Sequence, residues 1–452
     1  MSELAVVLGL VFFLLCLGLA ALHSVWLGRL TLLDWAVLGM GGVYGLGWAI
    51  VAWVTRQGGN PTWDAWLLPF ESLYPVHTLG ALMLLAGLWF GWLLGDGLRL
   101  FGTRTEVTVP RDTNDRLAKA MWLLLIVAVV MQWLYTRAYG GFLGLLEYSE
   151  SIRSAIFTIA NPLSFLQPFA GLALFSSFGF FGLWLSRRRG VAIALGLALS
   201  FLFSLYILYA WRGRMAFLVY LATFTLGMLL FRRPRPLRLL TGGGLLMLAI
   251  LVGAYYVSVQ LNLKAADSLP EFLARELAFP FGSFFAQLAT GDNLFRGFVD
   301  FLFTPFFLLP SSWWSTWIED ISQVNTALIM GAAKGEQGVT SGIPVDLLTL
   351  GLMQAHVFGI PIVGAMFGFL LRVVQRLIDR IPDPGVGAVF GAYAALKLAV
   401  LGIFYAQPAL VVSGNFDFLV SALFIAVGLC LPRMRWLPCR FAPMATRQGH
   451  EA

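Results

Sequence analysis

LAFPFGSFFAQLATGDNLFRGFVDFLFTPFFLLPSSWWSTWIED, residues 277–320, is the stretch on which the reading of this chain turns. Phe279, Pro280, Phe281, Phe284, Phe285, Trp313, Trp314 and Trp317 make it apolar and aromatic. Charged residues are nonetheless scattered through it and beside it: Arg275, Glu276, Arg296, Glu319, Asp320 and, further on, Glu336. It forms the centre of Val259–Val345, the one long connection between hydrophobic runs that is neither a membrane span nor a basic loop. A segment of this character is expected to lie along a bilayer surface and to work on something there.

The rest of the chain sets that segment in a membrane. Hydrophobic residues make up 59% of the 452 and charged residues 12%, and the mean hydropathy is +0.82, far outside soluble averages. The net charge of +7 does not point to nucleic acid, because the basic residues fall in short clusters between apolar runs, which is a topology signal. Cys16 and Cys430 fall in hydrophobic runs and Cys439 in a basic tail, so no disulfide framework is expected outside the membrane. Cofactors are not expected: no His-rich or Cys-rich cluster has metal-ligand spacing, and Walker loops and nucleophile elbows are absent from the sequence.

Hydrophobic runs predict spans at about 4–22, 31–54, 75–98, 120–136, 161–186, 191–211, 215–231, 239–258, 346–371, 386–407 and 417–431, about eleven helices in an all-α polytopic bundle. The chain reads as one integral membrane domain, 1–452, with a large membrane-hugging loop at 259–345 and a basic tail at 432–452. The first run lacks a basic start and reads as a retained helix. Most Lys and Arg collect on alternate connections, at Arg29, Arg99–Lys119, Arg187–Arg189, Arg232–Arg238, Arg372–Arg380 and Arg433–Arg447. That side is expected to be cytoplasmic, which puts the amino terminus and the 259–345 loop outside and the carboxyl terminus inside. Glycine clusters such as Gly39, Gly41, Gly42, Gly45 and Gly47 sit inside a span and are read as helix-packing positions rather than a nucleotide loop.

The candidate site residues lie at the outer ends of these spans. Trp211-Arg212-Gly213-Arg214-Met215 puts two arginines at an outer turn, against the charge bias. Guanidinium groups hold phosphate oxygens bidentately, so Arg212 and Arg214 suit a lipid pyrophosphate, while the alternative is a tight turn whose arginines snorkel to headgroups. Arg275, on a short amphipathic helix expected to end near Pro280, joins the same anion site or pairs with Glu271 or Glu276. Arg153 and Arg296 are further anion-binding candidates, and Arg137 reads as a span-end anchor. Transfer onto a hydroxyl needs a base, and Glu336 is the first choice, with Asp346 read as a helix start after Pro344. Asp417 reads as either a helix start or a contact for sugar hydroxyls. His356 and Lys397 are ionisable residues inside spans; His356 is assigned to substrate binding, against the alternative of an interhelical hydrogen bond, and Lys397 balances a buried acid.

On these motifs the chain resembles the Wzy-type oligosaccharide repeat-unit polymerases, in particular the branch of the enterobacterial common antigen polymerase. The resemblance rests on Arg214 in WRGRMAF, Arg275 with Pro280 five positions later, FLLPSSWW at Phe307–Trp314, Thr340-Ser341-Gly342 before a Gly-rich span, and Asp417 near the last span, in that order along a similar topology. It implies a GT-C-like, metal-independent glycosyltransferase of the bacterial inner membrane. Such an enzyme joins undecaprenyl-pyrophosphate-linked oligosaccharide units, donor and acceptor, on the periplasmic face with a Wzz-type chain-length regulator as partner. Where the related enzyme has a histidine ahead of the Ser-Gly segment, this chain has Glu336 or Gln337. An O-antigen ligase of the same architecture, or a flippase for lipid-linked sugars, are the competing expectations.

Overall fold

The computed structural model describes residues 3–58, 73–97, 112–149, 152, 159–186, 190–211, 214–232, 235–260, 268–289, 295–309, 311–334, 336–337, 339 and 342–430. All regular structure among them is helical. Eight helices are long and apolar enough to cross a membrane: α1 (Glu3–Leu27), α2 (Leu32–Arg56), α3 (Tyr74–Gly97), α4 (Asp115–Tyr139), α5 (Ser164–Leu185), α6 (Val191–Ala210), Leu347–Ile378 and Pro384–Phe404. Helices also occupy the other three expected runs: α7 (Arg214–Phe231), α8 (Pro236–Gln260) and Phe416–Cys430. The 432–452 tail lies outside the described residues.

Small residues let these helices approach one another closely. A Cβ added to Gly45 would come within 2.7 Å of the Phe13 backbone nitrogen, and one on Gly41 within 2.8 Å of Cys16 Cβ. These two glycines of the cluster therefore pack helices, as expected. The same device joins α3 to the long helix that follows Asp346: Cβ atoms on Gly87 and Gly91 would overlap the carbonyls of Pro361 and Ala365, and one on Gly364 would sit 2.6 Å from the Leu84 carbonyl. Lipid chains are as apolar as Leu, so association in the bilayer draws on this close packing rather than on exclusion of water.

Charges mark the two ends of the bundle. Arg29 pairs with Asp379 at 3.1 Å, and Arg372 and Arg376 both reach Asp96, gathering the basic connections at one end. At the other end Arg56 pairs with Glu3 at 2.8 Å. Arg137 caps a helix end with its guanidinium 4.0 Å above the Trp133 ring, the anchoring position expected for it.

Two expectations need correction. The 259–345 connection is not a surface loop throughout. It forms α9 (Leu269–Leu277), α10 (Phe279–Ala289) and α11 (Ile321–Met330), with shorter turns between. Pro280 lies in the first turn of α10, where its missing N–H costs nothing, so it begins a helix as well as following one. Moreover α10 is core: Phe281, Phe284 and Phe285 are buried. Phe295, Leu302, Phe306, Trp313 and Trp317 do stay exposed, the apolar-aromatic character expected at an interface.

The second correction concerns the predicted span 346–371. Leu347–Ile378 (α12) is interrupted at Ala355 (φ −154°, ψ 45°) and His356 (φ 50°, ψ −143°). Residues eight or nine apart in a straight helix stand about 12–13 Å apart along the axis. Here a Cβ on Gly359 would overlap the Gly351 carbonyl, and one on Gly351 would lie 2.6 Å from Ile360 Cα. The element is therefore a helical hairpin. Residues 347–354 fold back on 357–378, and the latter, about 33 Å at 1.5 Å per residue, is long enough to span alone. Val386 to Val400 and beyond form α13 (Pro384–Phe404), widened by one π-helical stretch, Ala394–Val400, that includes Lys397; α14 is Phe416–Cys430.

Replacing Gly91 by Val should jam α3 against the 357–378 helix and lower stability by about 1–3 kcal/mol, read as a fall in the thermal unfolding midpoint in detergent, whereas Gly18→Val, with open space around it, should leave it unchanged.

Candidate functional site

The hairpin gathers several of the buried polar groups, among them Asp346, Thr349, Gln354 and Asp300, and its deep end begins at Asp346. Residues 342–346 descend into the bundle as extended chain, so their peptide groups need partners from the side. Thr326 Oγ1 accepts from Ile343 N at 2.8 Å, Asn325 Nδ2 donates to the carbonyls of Ile343 and Pro344, Val345 N donates to Gln407 Oε1 at 3.0 Å, and Ala406 N donates to the Val345 carbonyl at 2.9 Å. Asp346 then caps the 347–354 half-helix, as its position after Pro344 predicts. Its Oδ2 accepts from Leu348 N at 3.1 Å and Thr349 N at 3.3 Å, and also from the Tyr44 hydroxyl at 2.7 Å. Tyr44 stands at the middle of α2, inside the π-helical stretch Gly41–Gly47, so the carboxyl is deep in the bundle and fully buried.

Above Tyr44 lies a histidine that the sequence reading did not single out. His77 is fully buried on α3. Trp48 stacks on it at 5.4 Å, Tyr44 meets it edge-on at 5.8 Å, and Phe281 and Phe284 of α10 close it in at 5.1 and 5.3 Å. Neither ring nitrogen has a hydrogen-bond partner among the described residues. An ionisable residue in an apolar run was the available signal, overlooked beside His356 and Lys397.

The other end of the hairpin is held by charge. Breaking a helix frees carbonyls that would otherwise bond within it. Here the carbonyls of Met353 and Gln354 accept from Arg296 N and Gly297 N, each at 3.0 Å. The Arg296 guanidinium grips Asp300 with two 2.7 Å hydrogen bonds and donates a third, of 2.8 Å, to the Glu319 carbonyl. Asp300, nearly fully buried, also accepts from Gln354 Nε2 at 2.8 Å. Arg296 was expected to hold an anion, but its fork is taken up by Asp300. His356 occupies the corner rather than the inside of a span. Its φ of 50° is unusual for a side chain with a Cβ, and its ring lies 5.8 Å from Phe295.

The remaining expected site residues are more dispersed. Arg275 pairs with Glu271 at 2.6 Å, one turn apart on α9, the ion-pair alternative weighed for it. Glu336 is exposed and accepts from Ala333 N at 3.3 Å. Asp417 is buried in the first turn of α14, where its Oδ1 accepts from Phe418 N at 2.9 Å, in keeping with a helix start. Lys397 is half-buried. Arg214 is the first residue of α7, but its side chain, like all of Arg153 and Arg212, lies outside the described residues. No group of three or more metal-ligating side chains occurs among the described residues. Comparison with protein-family models, curated proteins and solved structures returned no match.

Removing Asp300 would leave the Arg296 charge with no carboxylate in a largely buried place. Asp300→Ala should therefore cost about 3–5 kcal/mol, measured as loss of thermal stability, while replacing Arg296 and Asp300 together by Met and Leu should recover most of it.

Proposed function

We propose that the chain polymerises polyprenyl-pyrophosphate-linked oligosaccharide units at the outer face of a bacterial inner membrane, as a GT-C-like enzyme with eleven spans. The amino terminus would face the periplasm and the carboxyl terminus the cytoplasm. The observation that carries this reading is the junction of α6 and α7: helix continues one residue past the apolar span of α6, to Trp211, and the next begins at Arg214, so the WRGRMAF motif joins two apolar helices. Its support is the order of the Wzy-like motifs along the chain and the exposed aromatic residues of the 259–345 segment, which suit a lipid-linked substrate held at the interface.

In the transfer, a hydroxyl oxygen of the acceptor sugar attacks the anomeric carbon of the donor glycan. The bond from that carbon to the pyrophosphate oxygen breaks, the lipid pyrophosphate leaves with the electron pair, and the hydroxyl proton passes to a base. Charge grows on the departing pyrophosphate, and arginines fixed at a poorly hydrated surface stabilise it more than in water. Arg212 and Arg214 take that role, with Arg275 beside them when its guanidinium turns from Glu271. Glu336, being exposed, is accessible as the base. Arg153, Asp417 and His356 complete the substrate contacts, and a Wzz-type regulator sets chain length. An O-antigen ligase would share this chemistry with lipid A core as acceptor. A null strain distinguishes them: loss of a polymerase leaves surface lipid carrying one repeat unit, and loss of a ligase leaves none attached.

The second reading, a carrier for lipid-linked sugars, is favoured by one observation, the broken helix α12 with a buried carboxylate at its deep end, since discontinuous helices near the midplane are common in carriers. Purified protein supplied with lipid-linked repeat units, and with the co-polymerase present, should lengthen them without any ion gradient; unchanged substrate would reject the polymerase reading. Arg214→Lys keeps the charge but loses the planar fork. It should reduce polymerisation by roughly two to three decades, by analogy with the loss of other transition-state donors, read as a collapsed glycan ladder at normal expression.

A further inference from the structure

We propose that Asp346 is a proton-binding site, its carboxyl held neutral by a proton on Oδ1 while the hairpin 347–378 is closed. The two carboxyl oxygens are treated differently. Oδ2 takes the donors, namely Tyr44 Oη, Leu348 N and Thr349 N. Oδ1 is buried with no hydrogen-bond partner among the described residues, and the Thr349 hydroxyl beside the carboxyl is likewise buried and unpartnered there. An ionised carboxylate has two equivalent acceptor oxygens and calls for donors at both, whereas a neutral acid has one carbonyl oxygen that accepts and one hydroxyl that does not need to. The observed asymmetry is that of the neutral acid, with Oδ2 as its carbonyl.

Among the described residues no cationic side chain pairs with the carboxyl. The titratable and charged groups on the elements packed against the hairpin are Asp34, Tyr44 and Arg56 on α2, Tyr74, His77 and Asp96 on α3, and Tyr393 and Lys397 on α13, followed by Tyr405. Arg296 and Asp300 lie at the opposite end of the half-helix. Of these, Tyr44 is the one that bonds the carboxyl, and Asp346 forms no ion pair among the described residues. Asp34 is engaged with His23 and Thr31, and Arg296 with Asp300. His77 reaches Asp346 only through Tyr44, whose ring it meets edge-on. A bare charge in this place, at the middle of α2 and shut off from water, is far more costly than an undonated hydroxyl hydrogen, so a proton is the economical occupant. The half-helix N-terminus favours the opposite, ionised form. When the hairpin loosens and water reaches Oδ1 that preference takes over and the proton leaves, which links proton occupancy to hairpin closure.

The site rests on the membrane fold and not on the polymerase reading, and its test uses no glycan. Infrared difference spectra of the purified full chain in lipid nanodiscs would be recorded for wild type, Asp346→Asn and Tyr44→Phe. Asparagine is as good a helix cap as aspartate, so the first variant keeps the Leu348 and Thr349 bonds. At pH 7 the wild-type minus Asp346→Asn spectrum should show the carbonyl stretch of a protonated carboxyl, fading as pH is raised. In Tyr44→Phe the band should shift, because its hydrogen bond is lost, and should persist to higher pH, because that bond favours the ionised form. Ionised-carboxylate bands at pH 7 in place of the protonated one would overturn the proposal. So would removal of the band by sodium at constant pH, which would make the occupant a metal cation. Were Asp346→Asn to fail to fold, the wild-type against Tyr44→Phe comparison decides alone: an unchanged protonated-carboxyl region overturns the site.

Discussion

A membrane interior offers no water to a peptide group, so every departure from helix at depth has to be made good by protein. The break in α12 is the place where this chain meets that demand most openly. At the corner, Met353 and Gln354 have carbonyls without helical partners, and the N–H groups of Arg296 and Gly297 arrive from the outer segment to fill them. Where the chain enters the hairpin, residues 343–345 have no helix at all, and Thr326, Asn325 and Gln407 stand in for it. The long connection between α8 and α12 is therefore tied to the hairpin it precedes. Its burial of α10 follows from this, because Ser283 and Gln287 of that helix reach Asn325 while Phe281 and Phe284 cover His77.

Two energetically different devices hold the arrangement. Between α1, α2, α3 and the 357–378 helix, glycines bring backbones together, and dispersion over a large contact replaces the hydrophobic effect, which is weak among groups already surrounded by lipid. Around the hairpin the contacts are few, polar and buried. Their net contribution is small while intact, and the loss of one partner costs much more. The first device makes the bundle rigid along its length. The second makes one region intolerant of substitution, and this is the region nearest the aromatic outer surface.

Much of the bundle was legible because the signals are local. Length and hydropathy of each run set the helices, Asp346 after Pro344 announced a cap, and the Gly41–Gly45 cluster announced close packing, whereas the spacing of Arg275 from Glu271 left an ion pair and an anion site equally open, and the fold shows the ion pair. The hairpin was not legible, since Gly351 to Gly368 stays hydrophobic enough to span despite Gln354, His356 and Pro361, whether the chain continues or turns back, and only the placement of Arg296 and Gly297 fills the carbonyls that the turn frees. Nor does aromatic content distinguish Phe281, buried against Trp48, from Trp317, exposed at the surface: both faces are apolar. Arg296 was misread for a related reason. Its type suits an anion, and the i,i+4 relation to Asp300 was present in the sequence, but the third partner, Gln354, lies 54 residues beyond Asp300 and only the fold brings it near.

The hairpin's two ends differ in a way that bears on how it can move. The corner is bound by a charged pair close to the surface, where Arg296 retains some exposure. The deep end is bound through one carboxyl whose donors are neutral: a tyrosine hydroxyl and two backbone N–H groups. Loosening the corner releases the Met353 and Gln354 carbonyls together with the Asp300–Gln354 bond, so the half-helix 347–354 loses its corner attachments to the outer segment together. Its remaining polar hold is then Asp346 and the strap before it, in contact with α2, α11 and Gln407, beside its close packing on the 357–378 helix through Gly351 and Gly359. A short helix with separate anchors at either end, one answerable to surface charge and the other to a buried carboxyl, couples the aromatic outer face to the interior of the bundle through a single element.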